Sequence, residues 1–180
     1  MSPVVISKIT VVICLVVLPF LQAVAQMPAS SDSIEKQITF IRSGYQKINT
    51  AGKQLRVKET DIEGESTEGG TMKKYYLKDS LRKVVATYYG ETGQLTIEYY
   101  FISPGRYFIF EKESSYKNPL FSGKVVIASV NEQRYYFYNG KLIRWLDNKR
   151  TIKNKAQMEE KQVALLKDIE EDFGKEIPLR

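Results

Sequence analysis

Apolar residues recur at helical spacing in the segment that begins at Asp32. The segment DSIEKQITFIRSGYQKI carries them three or four residues apart, so they fall on one stripe of a helix. The residues of this stripe are Ile34, Ile38, Ile41, Tyr45 and Ile48. Ala51-Gly52 follows, and glycine is the residue that most often ends a helix. The pattern predicts a helix that lays one apolar stripe on the rest of the protein.

From Lys53 to Asp147 the period of the apolar positions changes to two, which is typical of β-strands. Turn signals separate the strand-like runs, namely Gly69-Gly70, Lys78-Asp79-Ser80, Gly90-Glu91-Thr92-Gly93, Ser103-Pro104-Gly105 and Asn139-Gly140. Such short loops favour an antiparallel meander, because parallel strands need much longer crossover connections.

A second helical pattern follows the strands. The segment NKAQMEEKQVALLKDIEEDFGKEI places Asn154 at the cap position, Gln157 three residues later and Gly174 at the stop. Its apolar face comprises Met158, Leu165, Leu166, Ile169 and Phe173. The order of helix, strands and helix predicts an α+β fold, in which an antiparallel β-meander of about six to eight strands packs on an N-terminal and a C-terminal helix.

Aromatic doublets recur along the predicted strands, at Tyr75-Tyr76, Tyr88-Tyr89, Tyr99-Tyr100 and Tyr135-Tyr136. Neighbouring strand residues point to opposite faces, so each doublet places one ring on each face of the sheet. We expect both helices to cover the face richer in Phe and Leu and to leave the other face partly wet. The residues predicted to be nearly inaccessible are Ile38, Ile41, Leu95, Ile97, Phe101, Phe137 and Leu142.

A two-residue loop at Asn139-Gly140 sets the register of the last hairpin and pairs Arg134 with Trp145. One face then carries Arg134, Tyr136, Tyr138, Lys141, Ile143 and Trp145, and the other carries Tyr135, Phe137, Leu142, Arg144 and Leu146. The first set combines rings with cations. We predict that Arg134, Tyr136, Tyr138, Lys141 and Trp145 form a partly exposed surface that binds a ligand or partner. The alternative is that these rings only stabilise the sheet as cross-strand pairs.

The first 25 residues have the features of a secretory signal peptide. Lys8 precedes an apolar core, and Ala23-Val24-Ala25 is the small-x-small pattern that a signal peptidase cleaves. A retained membrane anchor is the alternative, but the apolar run is shorter than the roughly 20 residues of a spanning helix. We expect a signal peptide over 1–25, a spacer over 26–31 and a single α+β domain over 32–180. The protein is then exported, to the periplasm or outside the cell, after cleavage near Ala25.

Cleavage would remove Cys14, the only cysteine, and export without disulfides is typical of the bacterial envelope. The net charge of +6 is accompanied by no arginine-rich arm and no zinc pattern, so we expect no nucleic-acid partner. A basic run comprises Arg144, Lys149, Arg150, Lys153 and Lys155. An anionic partner is one explanation of this run, and a soluble turn is the other.

The chain has no histidine, which excludes Ser-His and Cys-His nucleophiles and the usual zinc sites. Glu111 and Glu113 share a strand face at a separation that would suit a glycosidase pair, but a solvated strand end is the preferred explanation. For the alternating carboxylates Glu59, Asp61, Glu63 and Glu65 we expect cross-strand pairing with the lysines of the next strand; calcium binding is the alternative, but the EF-hand spacing is absent. We expect no cofactor and no metal.

The strings YYGETGQLTIEYYF and RYYFYNGKLIRWLDN resemble the recurring hairpins of an uncharacterised family of exported bacterial proteins, and loosely those of MORN-type and YwqK-like repeats. The resemblance spans Gly64 to Asn148. It implies hairpins and export, and it transfers no catalytic residue. We expect a non-enzymatic exported or envelope module whose aromatic sheet face binds an envelope protein, a glycan or a lipid. The alternatives are a small carboxylate-dependent hydrolase and a purely structural envelope component.

Overall fold

The computed structural model describes residues 31–119, 121 and 123–177, so the predicted signal peptide and all but the last residue of the predicted spacer lie outside the described residues. The helices are α1 (Ser31–Ala51) and α2 (Lys155–Phe173), and a short 3₁₀ turn (Gly52–Gln54) follows α1. The strands are β1 (Arg56–Ile62), β2 (Gly70–Leu77), β3 (Ser80–Gly90), β4 (Gly93–Ser103), β5 (Arg106–Tyr116), β6 (Ile127–Tyr138) and β7 (Lys141–Leu146).

The seven strands form one antiparallel sheet in which spatial order follows chain order from β1 to β7. This is the predicted meander, and with a helix at either end it confirms the α+β fold. Asn139 and Gly140 have φ values of 50° and 70°, the left-handed conformation that a two-residue hairpin loop requires. The N-terminus of α2 is also as predicted, because the Asn154 and Gln157 side chains cap it reciprocally.

The two helices lie on opposite faces of the sheet, and the prediction that they share one face is wrong. α1 packs across β4, β5 and β6 on the face that we name the α1 side. α2 covers the other face, named the α2 side, where Leu165, Ile169 and Phe173 join the buried cluster. The physical reason is that the doublets supply rings to both faces, and each ring-bearing face is removed from water only when a helix covers it.

The doublet Tyr99-Tyr100 shows how the rings are divided between the faces. Tyr99 lies on the α2 side, where its ring centroid is 5.2 Å from that of Phe173. Tyr100 lies on the α1 side, where its ring centroid is 4.8 Å from that of Tyr45. Both tyrosines are at most 5% exposed. The doublet therefore joins each helix to the same strand.

Polar contacts at the tips of buried tyrosines tie the helices to the sheet. On the α1 side, Lys83 Nζ donates to the Tyr100 hydroxyl at 2.7 Å, and that hydroxyl lies 3.2 Å from Asn49 Oδ1 at the end of α1. On the α2 side, Glu176 accepts hydrogen bonds from the Tyr76 hydroxyl and, at 2.5 Å, from Lys74 Nζ. Each helix thus has a polar anchor beside its apolar contact.

The predicted core is confirmed at Ile38, Ile41, Phe101, Phe137 and Leu142, all of which are less than 9% exposed. Leu95 and Ile97 are only half-buried, so the prediction for these two is wrong. Both lie in the first half of β4, whereas Phe173 of α2 contacts Tyr99 and Phe101 in its second half. The C-terminal helix therefore buries only one end of this strand.

We expect Phe101→Ala to lower the free energy of unfolding by about 3–5 kcal/mol, because it removes ring contacts with Tyr107 and Phe173 and leaves a cavity. Leu95→Ala should cost about 1 kcal/mol, since its side chain already contacts water. Urea unfolding of both variants measures the difference. Equal losses of unfolding free energy in the two variants would contradict the burial of only one half of β4 by α2.

Candidate functional site

The residues predicted to form one binding surface lie on both faces of the sheet. Arg134, Tyr136 and Tyr138 alternate along β6 and point to the α1 side. Lys141 pairs with Tyr138 across the hairpin and is exposed. Trp145 packs instead with the α2-side cluster, where its ring centroid is 5.4 Å from that of Tyr135. The prediction that Trp145 shares a face with Tyr136 is therefore wrong.

A β-bulge explains this difference. The register follows the prediction at Tyr138 opposite Lys141 and at Phe137 opposite Leu142, but Tyr136 then lies opposite Arg144. The extra residue is Ile143. A bulge reverses the alternation of every later residue of its strand, so Trp145 moves to the α2 side and Leu146 to the α1 side.

Among the described residues, the predicted rings of the α1 side form no open platform, because α1 covers the centre of that face. Tyr136 is 5% exposed and packs against Phe108, with ring centroids 5.0 Å apart, so the predicted exposure of Tyr136 is wrong. Tyr138 is half-buried, and the Arg106 guanidinium lies 4.7 Å from its ring centroid. Partial exposure is thus confirmed for Tyr138 but not for Tyr136.

A cleft remains along one flank of α1. It has a volume of about 310 Å³ and is formed by α1 with β5 and β6. We name it the arginine cleft; its lining residues are Arg42, Tyr45, Gln46, Phe108, Phe110, Arg134 and Tyr136. Its volume is near the lower end of the range for small-molecule sites, roughly 300 to 1,000 Å³.

Two guanidinium groups lie over the aromatic floor of the arginine cleft. Arg42 of α1 is 5.6 Å from the ring centroid of Tyr136, and Arg134 of β6 is 5.0 Å from that of Phe110. Arg134 also pairs with Glu132 at 2.5 Å. Arg42 forms no ion pair with any carboxylate in the described part of the chain. The cleft therefore has a net positive charge over an apolar floor.

The sequence prediction included Arg134 and Tyr136 of this cleft but missed Arg42, Tyr45 and Phe110. Tyr45 was assigned to the apolar stripe of the first helix, where it does lie. Arg42 lies four residues after Ile38 and three before Tyr45, so it borders the same stripe at the edge of the contact with the sheet. In the sequence, the signal for Arg42 was a cation beside the apolar stripe of the helix. Only the packing of α1 on the sheet shows which strand this cation faces.

The basic run after the last hairpin is largely neutralised by neighbouring carboxylates. Arg144 pairs with Glu35 of α1 at 2.6 Å, Lys153 with Asp147 at 2.9 Å, and Lys155 with Glu159 at 3.6 Å. Lys149 and Arg150 lie exposed in the turn after β7. The hydrogen bond from Lys153 lowers the pKa of the Asp147 carboxyl. Backbone hydrogen bonds from Thr151 and Lys149 lower it further, and only its slight burial acts in the opposite direction.

The carboxylates considered for catalysis are engaged separately. Glu111 accepts a hydrogen bond from the Tyr135 hydroxyl at 2.8 Å and lies 3.6 Å from Lys161 of α2. Glu113 is exposed. In the first strand, Glu59 pairs with Lys73 at 3.3 Å, which confirms that part of the predicted charge ladder. Among the described residues, no group of three or more Asp, Glu, Cys or His side chains is arranged to hold a metal ion.

No protein-family model, no curated protein and no solved structure matches this chain. Within residues 31–177 as described, neither helix combines the length and the apolar character needed to cross a membrane.

Trp145→Ala should destabilise the protein by about 2 kcal/mol or more, because the indole packs on Tyr135 and its Nε1 donates to Gln133 at 2.6 Å. Tyr138 is half-buried like Trp145, but its ring contact is with the Arg106 guanidinium rather than with another ring, so Tyr138→Ala should cost less. Thermal unfolding of the two variants checks the order. A larger loss from Tyr138→Ala would argue against a structural role for Trp145.

Proposed function

We propose that this chain is an exported, non-enzymatic binding module of the cell envelope that takes an acidic ligand in the arginine cleft. The observation that supports this most strongly is the pair of guanidinium groups, Arg42 and Arg134, over an aromatic floor. Arg42 has no carboxylate partner among the described residues, so an acidic ligand would supply the missing counter-charge.

The two arginines have different roles in this proposal. Arg42 is exposed on α1 and would form the charge-assisted hydrogen bonds to a carboxylate of the ligand. Arg134 is already paired with Glu132, so it would orient the ligand and leave most of the binding energy to Arg42. The half-buried faces of Tyr45 and Phe110 would contact the apolar side of the ligand.

An acidic glycan is the envelope component that fits this arrangement best. A sugar ring offers one apolar face to an aromatic side chain, and a uronic acid carries the carboxylate on the same ring. An envelope protein with an exposed acidic side chain, or an anionic lipid, would use the same cation with less of the aromatic floor.

We expect digalacturonic acid to bind the protein and its methyl ester to bind at least tenfold more weakly, since the ester has the same ring without the charge. Arg42→Gln should weaken the binding of digalacturonic acid about tenfold. Lys149→Gln removes the same charge from the exposed turn and serves as the matched control. Isothermal titration calorimetry on the protein purified after expression of the full chain gives both affinities.

Several results would count against the proposal. Equal affinities for the acid and the ester would show that the cations do not contribute to binding. A loss of affinity confined to Lys149→Gln would place the site in the basic turn. Absence of binding by both ligands would favour a structural component. Cleavage of the disaccharide that disappears in Glu113→Gln would favour the carboxylate-dependent hydrolase.

A separate prediction concerns export, which we infer from Lys8, the apolar core and Ala23-Val24-Ala25. The native protein should begin at or near Gln26 and should be found outside the cytoplasm. Mass spectrometry of the protein isolated from its own cells measures this terminus. An intact Met1 in the cytoplasmic fraction would show that the segment is not a signal peptide.

A further inference from the structure

A second groove lies along α1, formed by a set of residues none of which lines the arginine cleft. It has a volume of about 340 Å³ and is bounded by α1, the residue after the 3₁₀ turn and the ends of β2, β3 and β4. We name it the Arg82 groove; its lining includes Phe40, Ser43, Lys47, Ile48, Leu55 and Arg82.

The groove is bordered by the place where α1 comes closest to β4. A Cβ atom on Gly44 would lie 2.3 Å from Cγ2 of Ile102, so the helix can approach the strand closely only because this position has no side chain. Beside this contact the walls are mostly apolar. Ile48 is nearly buried, whereas Phe40 remains 49% exposed. The groove therefore offers apolar surface that no side chain of the described residues fills.

Arg82 enters the groove because of a bulge in β3. Tyr75 of β2 pairs with Lys83, but the next residue, Tyr76, pairs with Leu81, so Arg82 is the extra residue. Leu81 then belongs to the α2-side core, and the Arg82 side chain lies at the end of the sheet beside Ile102.

The guanidinium of Arg82 is only partly satisfied. Its Nη1 donates to the carbonyl oxygen of Ile102 at 3.3 Å, and its Nε is buried without a hydrogen-bond partner in the described part of the chain. No described carboxylate forms an ion pair with it. A half-buried guanidinium normally has acceptors for most of its donors, because leaving them unpaired costs free energy.

The charge of the groove has one sign. Lys47 of α1 lies on its rim, and none of its lining residues is acidic. A groove with apolar walls, two cations and no counter-charge is complementary to an amphiphilic anion. The chain of such an anion would cover the walls, and its head group would accept hydrogen bonds from Arg82.

We infer that the Arg82 groove binds a free fatty acid of medium chain length, with the carboxylate on Arg82 and Lys47 and the acyl chain along Phe40, Ile48 and Leu55. This inference goes beyond the proposed function, because the groove and the arginine cleft have no lining residue in common. The Nε of Arg82 is closed to solvent, so a carboxylate would accept hydrogen bonds from the Nη atoms and would supply the counter-charge that no described carboxylate provides.

The test uses decanoate and 1-decanol, which share the chain and differ in the charge of the head. The protein purified after expression of the full chain should bind decanoate at one site and 1-decanol at least tenfold more weakly, as measured by calorimetry below the concentration at which decanoate forms micelles. Arg82→Gln should weaken decanoate binding about tenfold and leave 1-decanol unchanged. Lys149→Gln, in the exposed turn after β7, should leave decanoate binding unchanged.

A second variant keeps the test decisive if Arg82→Gln does not fold. Ser43 is an exposed lining residue of α1, so Ser43→Leu fills the groove without removing a core contact and should abolish binding of both probes. No binding of decanoate, equal binding of decanoate and 1-decanol, or unchanged decanoate binding in Ser43→Leu would each overturn the inference. Tighter binding of a lysophospholipid than of decanoate would overturn the assignment to a free acid. Failure of digalacturonic acid to bind would affect only the proposed function.

Discussion

The alternation of side chains along the strands is the constraint on which the rest of this structure depends. Because neighbouring residues point to opposite faces, Tyr99-Tyr100 and Tyr135-Tyr136 bring rings to both sides of one sheet. Full burial of a large apolar side chain stabilises a fold by roughly 1.5–3 kcal/mol, so an uncovered face would forgo that contribution for each ring. One helix on each side is the arrangement that covers both sets.

Tyrosine rings in the core also need polar partners for their hydroxyl groups. The Tyr100 hydroxyl is hydrogen-bonded to Lys83, that of Tyr135 to Glu111 and that of Tyr76 to Glu176. Each of these contacts lies where the ring reaches the edge of the buried region. Burial raises the pKa of Tyr76 to about 12, and the Glu176 carboxylate that accepts a hydrogen bond from its hydroxyl contributes to the same shift. Burial and the neighbouring Glu111 carboxylate likewise raise the pKa of Tyr135. These tyrosines therefore remain neutral donors and connect the hydrophobic clusters to the ion pairs around them.

A single helix is narrower than the sheet that it covers, and this mismatch creates both candidate sites. α1 contacts β4, β5 and β6, so grooves remain beside it where the sheet continues. Arginines lie in both grooves, Arg42 and Arg134 in one and Arg82 in the other, while the described carboxylates pair mostly with other cations. The α1 side thus combines apolar walls with unpaired positive charge, which is the basis of both binding proposals.

The sequence by itself determined the two helices, the antiparallel meander and the tight turn at Asn139-Gly140, because periodicity, capping and turn preferences are local properties. It also identified Arg134 and Tyr136 as neighbours on one face, since two residues apart on a strand is a local relation. Only the tertiary structure decided that the helices take opposite faces and that Arg42 joins Arg134. It also decided the bulges that add Ile143 and Arg82 to their strands. A bulge changes the face of all later residues of its strand, and a helix packs on the face where it buries most apolar area. Both outcomes therefore depend on contacts between segments that are distant in the chain.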